Sequence, residues 1–164
     1  MERRRFSAAL QGQNLRFTGA GEGGSARARV GFLLLEHFSL PAFTQALDTL
    51  VTANLIRSES FAVSNFSLSG EPVTSDLGLL ICPDLALASA ARQGLDLLVV
   101  CGGLRTPLRS SAALREALQD VASRGVALAG LWNGAWFLGD AGLLDGYRCC
   151  IHPEHRAADR KSVV

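Results

Sequence analysis

The stretch Leu95-Asp96-Leu97-Leu98-Val99-Val100-Cys101-Gly102-Gly103, followed after one helix-length segment by Val126-Ala127-Leu128-Ala129-Gly130-Leu131, decides the fold. Apart from Asp96, each run is apolar without alternation and strand-length, as expected of a strand buried on both faces of a sheet. Between them Leu114, Leu118, Val121 and Ala122 recur at helical spacing. Ser110 or Ser111 is placed to start that helix and Gly125 to close it. A strand–helix–strand unit of this length makes two neighbouring parallel strands.

The same alternation extends in both directions. Upstream, Val30–Leu35 is a continuous apolar run, so order is expected from Arg29. Ser39 can cap a helix with Pro41 in its first turn and Phe43, Leu47, Leu50, Val51 and Leu55 along one face. Phe61–Leu68 alternates as a strand, Ser69–Pro72 reads as a turn, Leu77–Cys82 as a short strand and Asp84–Arg92 as a short helix stopped by Gly94. Downstream, Gly134–Leu143 is helical and Asp145-Gly146 turns into a strand over Tyr147–Ile151. The pattern predicts an α/β fold, a flavodoxin-like parallel sheet with helices on both faces.

Length and composition agree with one domain. The chain has 164 residues, 48% of them apolar and 19% charged, which is enough core for a globule and too little charge for disorder. Residues 1–28 are rich in Gly, Arg, Gln and Ser without apolar periodicity and read as a flexible leader. The formal net charge of +1 hides a split, because residues 1–29 carry net +4 and residues 30–164 net −3. A mildly acidic globular part argues against a DNA-binding surface within it. No apolar run approaches the roughly 20 residues of a spanning helix. The four cysteines, Cys82, Cys101, Cys149 and Cys150, lack the spacing of a disulfide framework, so a reduced cytoplasmic setting is expected.

Ligands of such sheets bind outside the carboxyl ends of the strands. Three places qualify: Glu36–Ser39, Gly102–Leu104 and Trp132–Gly134. Gly130-Leu131-Trp132-Asn133-Gly134 runs from a strand directly into a helix, with small residues where a sharp turn needs them. That is the shape of a nucleophile elbow, but its central side chain is Trp132, and an indole is no acyl-transfer nucleophile.

The segment from Val30 to about His155 resembles the N-terminal half of AraC-type transcriptional regulators of the GlxA kind. Their sensor domain is similar to the ThiJ/PfpI and class I glutamine amidotransferase fold. The resemblance is carried by Val30–Leu40, by Val99-Val100-Cys101-Gly102-Gly103, and by Gly130–Trp136 through Ala141–His155, the last block being the most specific. Enzymes of the superfamily place a reactive Cys at the position of Trp132 and an acid early in the first helix, where Ala42 stands here. Gly102-Gly103, whose backbone would supply oxyanion-type amides, and His152, followed by Pro153, are kept. The resemblance therefore implies an enzyme fold reused as a binding pocket, with no catalytic set. It implies a non-enzymatic sensing domain over residues 29–156 that binds a small-molecule effector, a nitrogenous metabolite such as an amino acid or quaternary amine, and forms a homodimer. Regulators of this type continue into a helix-turn-helix domain that 157–164 does not match. The expectation is a C-terminally truncated sensor, with DNA reached only through the absent domain.

The expected ligand-binding residues are Trp132, Asn133, Gly102, Gly103, His152 and Glu36. Trp132 serves as a ligand wall able to face a cation, or as core filler; Trp136, one turn on, serves packing. Asn133 either orients a carboxylate or amide or caps the following helix. Glu36 pairs with a ligand cation or is a solvated loop acid, and His152 is a pocket group or a structural histidine. Cys149, Cys150, His152 and His155 lie within seven residues, but adjacent cysteines rarely ligate one zinc and no second cluster completes a site. No metal or other cofactor is expected. Two other readings stay open: a ThiJ/PfpI-type cysteine hydrolase or lyase using Cys101 or Cys150, and a scaffold that only dimerises.

Overall fold

The computed structural model describes residues 28–57 and 59–150. Residues 1–27 of the leader, His152, His155 and the tail from 157 thus lie outside the described residues, while Ala28, expected in the leader, opens the first strand. Five strands form one parallel sheet: β1 (Ala28–Leu34), β2 (Phe61–Ser67), β5 (Leu85–Ala86), β6 (Leu97–Cys101) and β7 (Ala127–Leu131). Their spatial order is β5-β2-β1-β6-β7. Val30 stands opposite Val63 on one side and Leu97 on the other, and Val99 stands opposite Ala129. The chain leaves β1 towards β2 and later returns on the far side to β6, so the switch in strand order falls between β1 and β6.

The two-residue side-chain period of a strand explains why the central runs are apolar throughout. On β1, Leu33 joins one buried cluster with Leu98, Val100, Leu114, Leu118 and Phe137. Val30, Phe32 and Leu34 point the other way and pack with Phe43, Val99 and Cys101. Helix α1 (Leu40–Ile56) covers the second face, while α2 (Ala112–Ser123) and α3 (Gly134–Asp140) cover the first. Full burial of a side chain such as Phe32 or Leu98 contributes about 1.5–3 kcal/mol, which makes β1 and β6 the rigid base for whatever their carboxyl ends hold.

Several local expectations are corrected. Ser39 occupies the N-cap position of α1, but its side chain makes no capping bond. Instead Asp76 Oδ1 accepts the Leu40 N–H at 3.0 Å, a cap supplied from 36 residues away. In α1 only Phe43 is buried, with Leu47 and Leu50 half-buried against the core. Leu77–Cys82 contracts to β4 (Leu80–Ile81), which pairs antiparallel with β3 (Val73–Thr74). Asp84–Arg92 is not one helix but β5 followed by a 3-10 turn over Leu87–Arg92, ending before Gly94 at φ +62°. The expected strand from Tyr147 has no regular structure through Cys150, and Ile151 lies outside the described residues.

The largest correction concerns β7. Ala127 and Gly130 are exposed, Leu128, Ala129 and Leu131 half-buried, and none is fully buried. Among the described residues it is one of the two edge strands, paired with β6 alone, as β5 is with β2. Gly130 answers a different demand: a Cβ there would run into the backbone of Ala135 at the start of α3. Helix α2 matches expectation, with Ser111 Oγ accepting the Leu114 N–H at 3.1 Å and Leu114, Leu118 and Val121 buried.

Candidate functional site

The turn from β7 into α3 has the elbow geometry that its residues suggest. Trp132 sits at φ +55°, the left-handed region that side chains with a Cβ adopt only under constraint. The constraint is the immediate start of α3, where Trp136 N–H already donates to the Asn133 carbonyl at 3.0 Å. The indole of Trp132 is 50% exposed, so it presents a large aromatic surface at the tip of the turn. Trp136, one turn on, packs edge-on to Phe137 with ring centroids 4.9 Å apart.

Asn133 is buried and does not cap α3 through its side chain. Its Nδ2 donates to the carbonyl of Thr106 at 3.4 Å, and its Oδ1 has no partner among the described residues. The space around it is closed by Gly102, because a Cβ there would collide with the Asn133 side chain and stand 2.8 Å from the Gly134 nitrogen. Gly103 is closed in the same way, a Cβ there standing 2.7 Å from the His37 carbonyl oxygen. The Gly102 N–H donates to Leu131 at 3.2 Å, and its carbonyl accepts from the Ser39 N–H at 3.0 Å. The amide of Gly102 is therefore engaged in joining β6 to β7 and is not offered to an oxyanion. Both glycines let three strand-end loops cross at backbone contact.

Glu36 follows β1 and is exposed, next to His37 at φ +57°. It lines a cleft of about 390 Å³ at the carboxyl ends of β1 and β2. Leu35, Leu114 and Phe137 give the cleft an apolar floor, and the segments 67–73 and 106–111 form its walls. Glu36, Glu71 and Arg109 supply its charges, and none of these three side chains makes an ion pair or hydrogen bond to another described residue. Thr106 also lines it, is only 5% exposed, and keeps Oγ1 unpartnered among the described residues.

The six expected residues thus divide. Gly102, Gly103 and Asn133 come together in a sealed junction; Trp132 stands at the exposed elbow beside it; Glu36 belongs to the cleft; His152 is outside the described residues. Asn133 is tied to the cleft wall through Thr106. Sequence reasoning missed Thr106, Arg109 and Glu71, which lie on loops with no motif; the closeness of Thr106 to Gly103 was the only available signal.

The cysteines offer little chemistry here. Cys101 is buried, with its thiol 3.7 Å from the Val99 carbonyl, and burial pushes its pKa up to about 12. That leaves no thiolate at neutral pH to act as nucleophile. Cys82 and Cys150 are exposed and Cys149 half-buried. Among the described residues no group of three or more His, Cys, Asp or Glu could hold a metal ion, and no helix is long and apolar enough to cross a membrane.

Comparison with known proteins is consistent with this geometry. The profile of the DJ-1/PfpI family matches residues 30–162. Over 130 residues the chain is 36% identical to the HTH-type transcriptional regulator GbdR of Pseudomonas aeruginosa, covering 79% of this chain and 35% of the regulator. It is 32% identical to the HTH-type transcriptional regulator GlxA of Rhizobium meliloti, covering 79% of this chain and 40% of that one. A solved structure of an AraC family transcriptional regulator from Pseudomonas putida superposes with a TM-score of 0.76 at 57% identity, covering 82% of this chain and 72% of that one. The chain therefore spans 35–40% of the length of these two curated regulators.

Proposed function

The chain belongs to the DJ-1/PfpI family, and from that premise we propose that it is the non-catalytic small-molecule-sensing domain of an AraC-type transcriptional regulator. The observation that carries this reading is the elbow itself. Its strained backbone is kept, with Trp132 at φ +55° leading into α3, but the position that must hold a nucleophile holds an indole. A fold that keeps the geometry of acyl chemistry without its reactive group serves binding. The similarity to GbdR, GlxA and the Pseudomonas putida regulator supports a regulatory role.

The effector is a nitrogenous metabolite, an amino acid or a quaternary amine. Trp132 gives an aromatic face for its cation, worth about 0.5–2 kcal/mol, and Glu36 gives a carboxylate. Asn133, Gly102 and Gly103 hold the junction between them, and His152 completes the site. The domain works as a cytoplasmic homodimer and reaches DNA through a separate helix-turn-helix domain. The alternative, a hydrolase or lyase using a displaced cysteine, draws no support from Cys101, whose thiol is buried and protonated.

Titration calorimetry with arginine, glycine betaine, carnitine and choline tests the reading. Saturable binding of at least one compound is expected, weakened about 2- to 30-fold by Trp132→Ala. Absence of saturable binding by every compound would refute it.

A further inference from the structure

We propose that Cys149 and Cys150 form a dithiol site for a trivalent thiophilic metalloid of the arsenite class, held by both thiols of one chain. Neither residue belongs to the elbow or lines the cleft, and the site does not depend on the effector reading above.

The two cysteines are adjacent, and both are free thiols. Cys150 is exposed, and Cys149 keeps part of its surface in solvent, so a small ligand reaches both. The backbone does not hold them apart. Regular structure ends with α3, and turns follow it, with the Leu143 N–H donating to Leu138 and the Tyr147 N–H to Leu144, each at 3.0 Å. Leu143 and Leu144 anchor these turns against the core. Past Tyr147 the segment through Cys150 has no regular structure, and none of its backbone groups hydrogen-bonds to a described residue. The torsions on either side of the Cys149–Cys150 peptide can therefore adjust until both Sγ atoms face one centre. Consecutive residues of the expected strand could not do so, because they would point to opposite faces.

The number and kind of donors select the ligand. Thiol sulfur is a soft donor and favours soft, polarisable centres. A tetrahedral zinc site needs four ligands, and among the described residues no group of three or more His, Cys, Asp or Glu gathers to supply them. Trivalent arsenic is satisfied by three bonds, so two thiols and one retained substituent complete it. With arsenous acid, two S–H and two As–O bonds break, two As–S bonds form, and two molecules of water leave. Arsenic stays trivalent and keeps its third hydroxyl, so the step needs no oxidant. The first As–S bond makes the second intramolecular, which raises affinity about a hundredfold or more over a lone thiol. The exposed Cys82 has no neighbouring thiol in the chain, and Cys101 is buried.

Phenylarsine oxide, which has two exchangeable positions on arsenic, is the probe. The reduced full chain should take up one phenylarsenic group per molecule, read from the intact mass. Loading should protect Cys149 and Cys150 from iodoacetamide and leave Cys82 labelled. The dithiol dimercaptopropanol should strip the group, and mercaptoethanol at the same thiol concentration should not. Cys149→Ser and Cys150→Ser each replace a thiol outside the buried core clusters, and each should weaken binding about a hundredfold or more. Cys82→Ser should leave binding unchanged, and arsenite should compete with the probe for the same two cysteines. Undiminished binding by either single variant of the pair, equal release by the monothiol, continued labelling of either cysteine in the loaded chain, or failure of arsenite to compete would overturn the assignment.

Discussion

Asn133, on the turn between β7 and α3, donates its side-chain amide to the carbonyl oxygen of Thr106 at 3.4 Å, bridging 27 residues of chain. One end of this brace is the elbow that carries Trp132; the other is the wall of the cleft that holds Glu36 and Arg109. Because Gly102 closes over it, the brace is shielded from water, where a lost hydrogen bond is not replaced.

Asn133→Ala should therefore cost about 1–3 kcal/mol of stability, read as a lower urea midpoint at unchanged slope. It should also weaken effector binding, since Thr106 loses its tether. A variant as stable as the wild type would show that the bond contributes nothing.

Gly102→Ala tests the packing from the other side. The added methyl group has to displace the Asn133 side chain and stands against the Gly134 nitrogen, so the fold should lose about 2 kcal/mol or more. Chemical denaturation within about 0.5 kcal/mol of wild type would contradict the close crossing described for the junction.

Cys101 should be inert in the folded protein. Iodoacetamide near pH 8 should label the exposed Cys82 and Cys150 and leave Cys101 unmodified until denaturant is added, as peptide mass mapping would show. The buried thiol also predicts a pH dependence. Its folded pKa of about 12 lies above the ordinary value of 9.0, so the fold favours the protonated form. This contribution is complete below pH 9 and is lost as pH rises towards 12, with a slope of up to about 1.4 kcal/mol per pH unit. The stability difference between wild type and Cys101→Ala should shrink over that window; a difference independent of pH would contradict the burial.

The cap of α1 separates Asp76 from Ser39. Asp76→Ala should cost about 1 kcal/mol, whereas Ser39→Ala should cost no more than a few tenths through the cap, since the Asp76 carboxylate is what accepts the Leu40 N–H. Equal losses in thermal denaturation would show that the serine contributes as much to the cap.

The legible parts of the fold are those decided by local chemistry. β1 and β6 are buried on both faces, so their apolar runs state their position directly, and the helical spacing of Leu114, Leu118 and Val121 does the same for α2. β7 misleads because it is an edge strand with no fully buried residue, and Gly130 is small for the sake of the turn into α3. The cap from Asp76 and the shortened hairpin at Leu80–Ile81 depend on contacts distant in sequence, which no local pattern encodes.

The candidate site divides along the same line. The elbow was readable because its residues are contiguous, from Gly130 to Gly134. The cleft was not, because Glu36, Glu71, Thr106 and Arg109 come from three loops that only the crossovers of the sheet bring to one place. Glu36 was reached because it directly follows a strand; the other three carry no spacing that marks them.

The most direct test of the sensing role is a thermal melt of this chain with and without arginine, glycine betaine, carnitine and choline. A ligand that binds only the folded state stabilises it by about 2.7 kcal/mol at a hundred times its dissociation constant, a shift of several degrees in a domain of this size. The account predicts a cooperative transition raised in a concentration-dependent way by at least one of these compounds. A cooperative transition that none of them moves, at concentrations up to tens of millimolar, would contradict it.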